Sequence, residues 1–161
     1  MRNLISLLII TTIITGCQYS PYADKYTVIE PTEKDVIGVY EFAFQTVDYS
    51  VDTGKIITKE SIIIINIDKT YSVERLPYFK EVGLMTYRFD RQISFTGTWS
   101  IGTVGSVDFG NGNIKKHWGL YLDNAPTELE NAGLLGVSKP NGIIFGFGDP
   151  DEGAVMTLNK K

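Results

Sequence analysis

The sequence predicts an all-β fold, a single antiparallel meander of seven or eight strands closed into a barrel, with at most one or two short helical turns. Three observations carry that expectation. The chain of 161 residues holds nine tyrosines, eight phenylalanines and two tryptophans together with 16 glycines, a composition that suits pleated strands and tight turns. Stretches combining Ala, Leu, Glu and Lys, which favour helices, are scarce. Short runs alternate apolar with polar residues and are separated by Gly, Asp, Asn and Pro. Closure of such a meander removes the exposed edges that unpaired strands would otherwise present.

The chain opens on MRNLISLLIITTIITGC, in which Arg2 gives a short positive start and Leu4 to Ile14 forms an apolar run broken only by Ser6 and the Thr11-Thr12 pair. A helix of that length rises about 16 Å, half a hydrocarbon core, so it is too short to span a bilayer and reads as a signal peptide over residues 1–16. The four residues Ile14-Thr15-Gly16-Cys17 resemble the bacterial lipobox, with Ile14 where leucine is usual. The resemblance implies a lipoprotein. In it the Cys17 thiol carries acyl chains such as palmitate, cleavage occurs before Cys17, and the membrane is reached through that lipid alone. Each buried methylene contributes about 0.8 kcal/mol to such an anchor. The implied location is the bacterial cell envelope. Gln18 in place of aspartate favours, by the same resemblance, an outer membrane facing the periplasm where the cell has one. Without the resemblance the stretch reads as an ordinary secretory leader or an uncleaved anchor.

Composition then narrows the function classes. The formal charge is −4, and loss of Arg2 with the leader makes the remainder more acidic, which argues against nucleic acid and against an electrostatic membrane patch. Cys17 is the only cysteine, so once it is acylated no thiol remains for a disulfide, a zinc site or a nucleophile. The expected organisation is a signal peptide at 1–16, a lipidated tether at 17–31 and one β-barrel domain at 32–161.

In chain order, Gln18 to Pro31 has two prolines, three tyrosines and no sustained alternation, as a linker would. Thr32-Glu33-Lys34-Asp35 offers a capping residue and charges for one helical turn. Val36 to Gln45 alternates as a strand with Tyr40, Phe42 and Phe44 on one inward face. Asp52-Thr53-Gly54 marks a turn. Lys59 to Asp68 follows, with Ile63, Ile65 and Ile67 as a core face and Ile62 and Ile64 on a half-apolar outer face. Tyr71 to Tyr78 places Tyr71, Val73 and Arg75 together and is expected to end at Pro77, which cannot donate to a central ladder. Leu84 to Phe89 and Gln92 to Ile101 read as two further strands, the second with Phe95, Trp99 and Ile101 inward. Trp118 to Asp123 is a short strand, Asn124 to Gly133 a turn or two of helix, and Gly142 to Gly148 with Ala154 to Leu158 a hairpin around Asp149-Pro150-Asp151-Glu152-Gly153.

Gly38-Val39-Tyr40 resembles the opening of calycin and lipocalin-like barrels, Gly-x-Trp after a short 3₁₀ turn, with Tyr40 in place of the tryptophan. Asp68-Lys69-Thr70-Tyr71, Gly97-Thr98-Trp99 and the Gly-Asp-Pro-Asp-Glu-Gly run from Gly148 to Gly153 resemble small uncharacterised bacterial secreted proteins, with Lys69 where glycine is usual. The likeness covers Val36 to Leu158, implies a barrel, and brings no activity.

No catalytic or metal-ligating constellation emerges. His117 is the only histidine, so no imidazole pair can build a metal site, and it reads as a surface or strand-end residue. Asp149, Asp151 and Glu152 lack the further ligand spacing of a calcium loop and read as a tight turn. Gly110-Asn111-Gly112-Asn113 has no following helix or Lys-Ser/Thr pair and is not a phosphate loop. The richest set is Tyr40, Phe42, Phe44, Phe95 and Trp99, which would line the barrel interior and either fill it or bound a ligand cavity. The expected function is a non-enzymatic binding or interaction module, of inhibitor or immunity type, that engages a protein partner without any cofactor. The alternative is a carrier of a small apolar ligand.

Overall fold

The computed structural model describes residues 20–51, 61–110, 112–149 and 152–161. The lipobox, Cys17, the Asp52-Thr53-Gly54 turn, Asn111, Pro150 and Asp151 lie outside the described residues. Eight strands follow one another: β1 (Gly38–Gln45), β2 (Ile62–Ile65), β3 (Thr70–Gly83), β4 (Thr86–Asp108), β5 (Ile114–Leu122), β6 (Asn131–Leu135), β7 (Gly142–Gly146) and β8 (Val155–Lys160). Each pairs antiparallel with the next and β8 returns to β1, so the expected meander closes into a barrel. One end, here called upper, carries the β1–β2, β3–β4, β5–β6 and β7–β8 connections, and the lower end carries the others.

Alternation explains the core. Tyr40, Ile63, Ile65, Tyr71, Val73, Trp99, Leu120, Leu122, Leu134, Ile143, Phe145, Met156 and Leu158 are all buried and form one cluster inside the ring. Each aliphatic or aromatic side chain so buried contributes on the order of 1.5–3 kcal/mol.

Two bulges correct the expected faces. Phe42 opposes Leu158 but Phe44 opposes Thr157, because Ala43 is an extra residue in β1. The reversal turns Phe44 outward, away from Tyr40 and Phe42. In β3 the register slips between Val73 and Leu76, where Arg75 has φ 52°. Leu76 therefore takes the place beside Tyr71 and Val73 that was expected for Arg75, and it is fully buried. Ile67 was expected in the core and is 79% exposed. β2 ends at Ile65, and an Asx turn in which Thr70 N–H and hydroxyl both donate to Asp68 carries Ile67 on its tip.

Pro77 does not end its strand. β2 pairs with β3 only as far as Ile62 opposite Glu74, and beyond it no strand among the described residues pairs with that side of β3. A residue without an N–H is tolerated on such an edge. The two strands expected around Asp90 are one, β4, whose upper half joins β3 in a long two-stranded arm. The arm folds across the upper end. Phe79 is fully buried there, edge-on to Phe89 at 6.2 Å and to Phe147 at 5.4 Å. Asp48 accepts hydrogen bonds from Phe89 N–H at 3.0 Å and Arg88 Nη1 at 2.8 Å, and Tyr78 donates to Glu128 at 3.1 Å.

The lower end is closed by α1 (Glu33–Val36), the helical turn expected there, in which Thr32 N–H and hydroxyl both donate to Asp35 Oδ2. Val36 is fully buried and its carbonyl accepts the Tyr40 hydroxyl at 2.6 Å. The helix expected over Asn124 to Gly133 is a single 3₁₀ turn, Thr127–Leu129, followed by β6.

The stretch expected as a lipidated tether is docked on the barrel from Ser20 onward. β5 and β6 pair from Gly119 opposite Gly133 to Tyr121 opposite Asn131, and beyond that Thr27 fills the gap between them. Its N–H donates to Leu134 O and its carbonyl accepts from Trp118 N–H, both at 2.9 Å, while its hydroxyl donates to Gly136 O at 2.6 Å. Thr27 is fully buried. Residues 20–31 thus form a strap over the barrel wall.

Candidate functional site

Four of the five residues expected to line the barrel interior, Tyr40, Phe42, Phe95 and Trp99, pack in or against its core. Tyr40 is fully buried with its hydroxyl bonded to Val36 O, and burial pushes that hydroxyl far above the usual phenol range. Trp99 is buried with its indole N–H on Asn66 O at 2.9 Å and the Lys69 ammonium over its ring at 4.1 Å. Phe95 is half-buried and edge-on to Tyr71 at 6.0 Å, and Phe42 packs against the same cluster. These four meet inside the ring. Phe44 does not join them, and Cys17 lies outside the described residues.

Phe44 instead opens a site on the outer wall. The bulge at Ala43 sets its ring, 44% exposed, beside a cleft of about 420 Å³ bounded by β1, β8, the β6–β7 turn and the strap. Leu135, Val137 and Tyr22 supply further apolar surface, and Asp24, Lys25, Asn141 and Asn159 line it with polar groups. Thr157 also lines this cleft. It is 2% exposed, and among the described residues its hydroxyl has no hydrogen-bond partner. A buried hydroxyl left unpaired costs on the order of 1–3 kcal/mol, and native proteins leave few of them. Apolar surface with a few polar groups, one of them a buried hydroxyl, is the chemistry of a binding cleft, in which burial gives affinity and the polar groups fix orientation.

The strap covers a second cleft of about 210 Å³ on the same wall, lined by His117, Tyr26, Ser20, Ile144 and Phe147. His117 was expected at the surface or a strand end, and it lies within β5, buried, its ring stacked on Tyr26 with centroids 3.8 Å apart. Burial lowers its pKa to about 4, opposed by a contact of Nε2 with Leu134 O at 3.2 Å. The imidazole is therefore neutral near pH 7. Only glycine fits at position 133, because a Cβ there would stand 2.6 Å from the His117 ring. Among the described residues no cluster of three or more His, Cys, Asp or Glu side chains is arranged to hold a metal ion. The Asp149 carbonyl accepts the Glu152 N–H at 3.0 Å, and Gly148 and Gly153 take φ 71° and 66°.

Sequence reasoning missed Thr157, Leu135 and Val137. A hydroxyl between the apolar Met156 and Leu158 marks an outward position, but what surrounds it depends on the strap. No protein-family model, no curated protein and no solved structure matches this chain.

Proposed function

We propose that the chain is a bacterial envelope lipoprotein, anchored through acylated Cys17, whose barrel is a non-enzymatic interaction module with the Phe44–Thr157 cleft as its contact site. The observation that supports it is the unpartnered Thr157 hydroxyl in an apolar cleft beside an outward-turned aromatic ring. A protein partner of the kind an inhibitor or immunity protein engages would insert an apolar side chain beside Phe44 and give Thr157 its hydrogen bond. Exposed aromatic rings are strong interface anchors. The proposed location is the outer membrane facing the periplasm in a cell that has one.

The test is affinity capture from envelope extract with wild type, Phe44→Ala and Thr157→Val, scored by quantitative mass spectrometry. A partner retained by wild type and reduced about tenfold by Phe44→Ala supports the reading. Equal capture by all three sinks it. Intact mass of protein taken from its native membrane tests the anchor separately, with acyl mass on Cys17 expected and lost in Cys17→Ala. The cleft volume favours one alternative, a small apolar ligand held on the outer wall, since pockets for such ligands start at about 300 Å³. Native mass spectrometry showing a bound small molecule displaced by Phe44→Ala would favour that carrier reading.

A further inference from the structure

The β3–β4 arm ends in Val82-Gly83-Leu84-Met85, four residues without a charge at the tip of the upper end. Val82 is 62% exposed, Leu84 92% and Met85 51%. Water-exposed hairpin tips ordinarily carry Asn, Asp, Gly or Ser, because a tip that buries nothing has no use for large apolar groups. The base of the arm is firmly held by Phe79, Asp48 and Glu128, so the tip projects from a fixed support.

What lies beside the tip is decided by the strap. Met85 O stands 3.0 Å from where a Cβ on Gly148 would be, and Pro21 stands 3.0 Å from the same point on Gly153. Ser20 lines the cleft next to Phe147, Gly148 and Ala154. The arm tip thus lies against Gly148 and the start of the strap against Gly153, both in the β7–β8 connection. Cys17 precedes Ser20 by three residues, and three residues reach about 10 Å at full extension.

We infer that the Val82–Met85 tip is a second membrane contact, inserted into the bilayer interface beside the lipid on Cys17. The inference rests on the reading of Cys17 as the lipid site. Acyl chains on Cys17 bring the bilayer surface within about 10 Å of Ser20, and the tip carries its exposed apolar groups beside Gly148, which lines the same cleft as Ser20. Behind the tip come Glu81, which accepts the Met85 N–H at 3.1 Å, and then the exposed Lys80, opposite the Arg88 that Asp48 holds. Lys80 is the cation placed to meet the phosphates of the headgroup layer. One lipid anchor alone leaves a domain free to swivel. The tip supplies the second point that fixes the upper end downward and turns Ile67, on the lower end, away from the membrane.

The test uses the full lipidated protein in vesicles of phosphatidylethanolamine and phosphatidylglycerol. Because lipid occupies the only native thiol, Leu84→Cys and Ile67→Cys each provide a single site for an environment-sensitive fluorophore. Nitroxide-labelled lipid is expected to quench the label at position 84 several-fold more than at 67, with a blue shift only at 84. A third label, on Thr86→Cys with Val82 and Met85 changed to Ser, is expected to lose that quenching while the protein stays vesicle-bound. Equal quenching at 84 and 67 on acylated protein overturns the inference and leaves the anchor standing. A blue shift at 84 that follows protein concentration without quenching also overturns it, in favour of a second copy of the chain. An unmodified Cys17 by intact mass overturns the anchor and the tip contact together.

Discussion

The two ends of the barrel are closed by opposite means. The lower end is sealed from the residues just before β1, since Thr32 reaches Asp35 and Tyr40 reaches Val36 within four positions of each other. The upper end is sealed by an arm whose bonds reach from Phe89 back to Asp48 and from Tyr78 forward to Glu128, 41 and 50 residues away. A seal made of neighbours costs little chain entropy and forms wherever its segment does. One made of distant parts exists only when the whole ring is in place, so its loss is felt by everything it touches.

The largest test of this contrast is Phe79→Ala, which empties the middle of the upper seal. A loss of about 4 kcal/mol is expected for a fully buried ring, read as a lowered midpoint in chemical denaturation. Acid separates the strap from the arm. The pKa of His117 is lowered to about 4, so the unfolded chain binds its proton first, and stability is complete above about pH 6.5 and falls as pH drops toward 4. About 3 kcal/mol is at stake, and His117→Phe should abolish that step in a series of denaturation curves against pH. For Asp48, burial pushes the carboxyl up, but hydrogen bonds from Ser50, the Phe89 N–H and Arg88 outweigh it and hold it at about 2. Its contribution, about 2 kcal/mol, is present above the ordinary carboxylate range and lost as pH falls from about 4 to 2. Asp48→Asn should flatten that lower window and leave the upper one intact. The smallest effect is expected at the local seal. Tyr40→Phe removes one hydrogen bond to Val36 O and should cost about 1 kcal/mol, without altering either acid step.

How far the sequence could be read follows the same division. Alternation placed Tyr40, Ile63, Ile65 and Trp99 inside, and Thr32 to Asp35 announced the lower turn, because both signals are written in adjacent residues. The bulges at Ala43 and Arg75 were not legible, since one extra residue looks like any other until the partner strand is known, and with the first of them went the outward turn of Phe44. Asn124 to Gly133 reads as a helical turn or two because Pro126 and Gly133 suit a helix's two ends, and what makes Asn131 to Gly133 strand is the neighbouring β5. The strap hid for a related reason. Gln18 to Pro31 has a linker's composition, and only the gap between β5 and β6 gives Thr27 something to bond. The candidate cleft depends on both a bulge and the strap, so it could not be seen before the fold.

That insertion of Thr27 also sets an order of events. Its hydroxyl bonds a residue 109 positions later in the chain, and the slot that receives it does not exist until β5 and β6 have met. Contacts of such separation form late, because the intervening chain must be ordered before they are rewarded. The residues made first are therefore among the last to be fixed. Until then Tyr26 and His117 are unstacked, the apolar wall beneath them is wet, and the gap between two strands stands open to any extended segment that reaches it sooner.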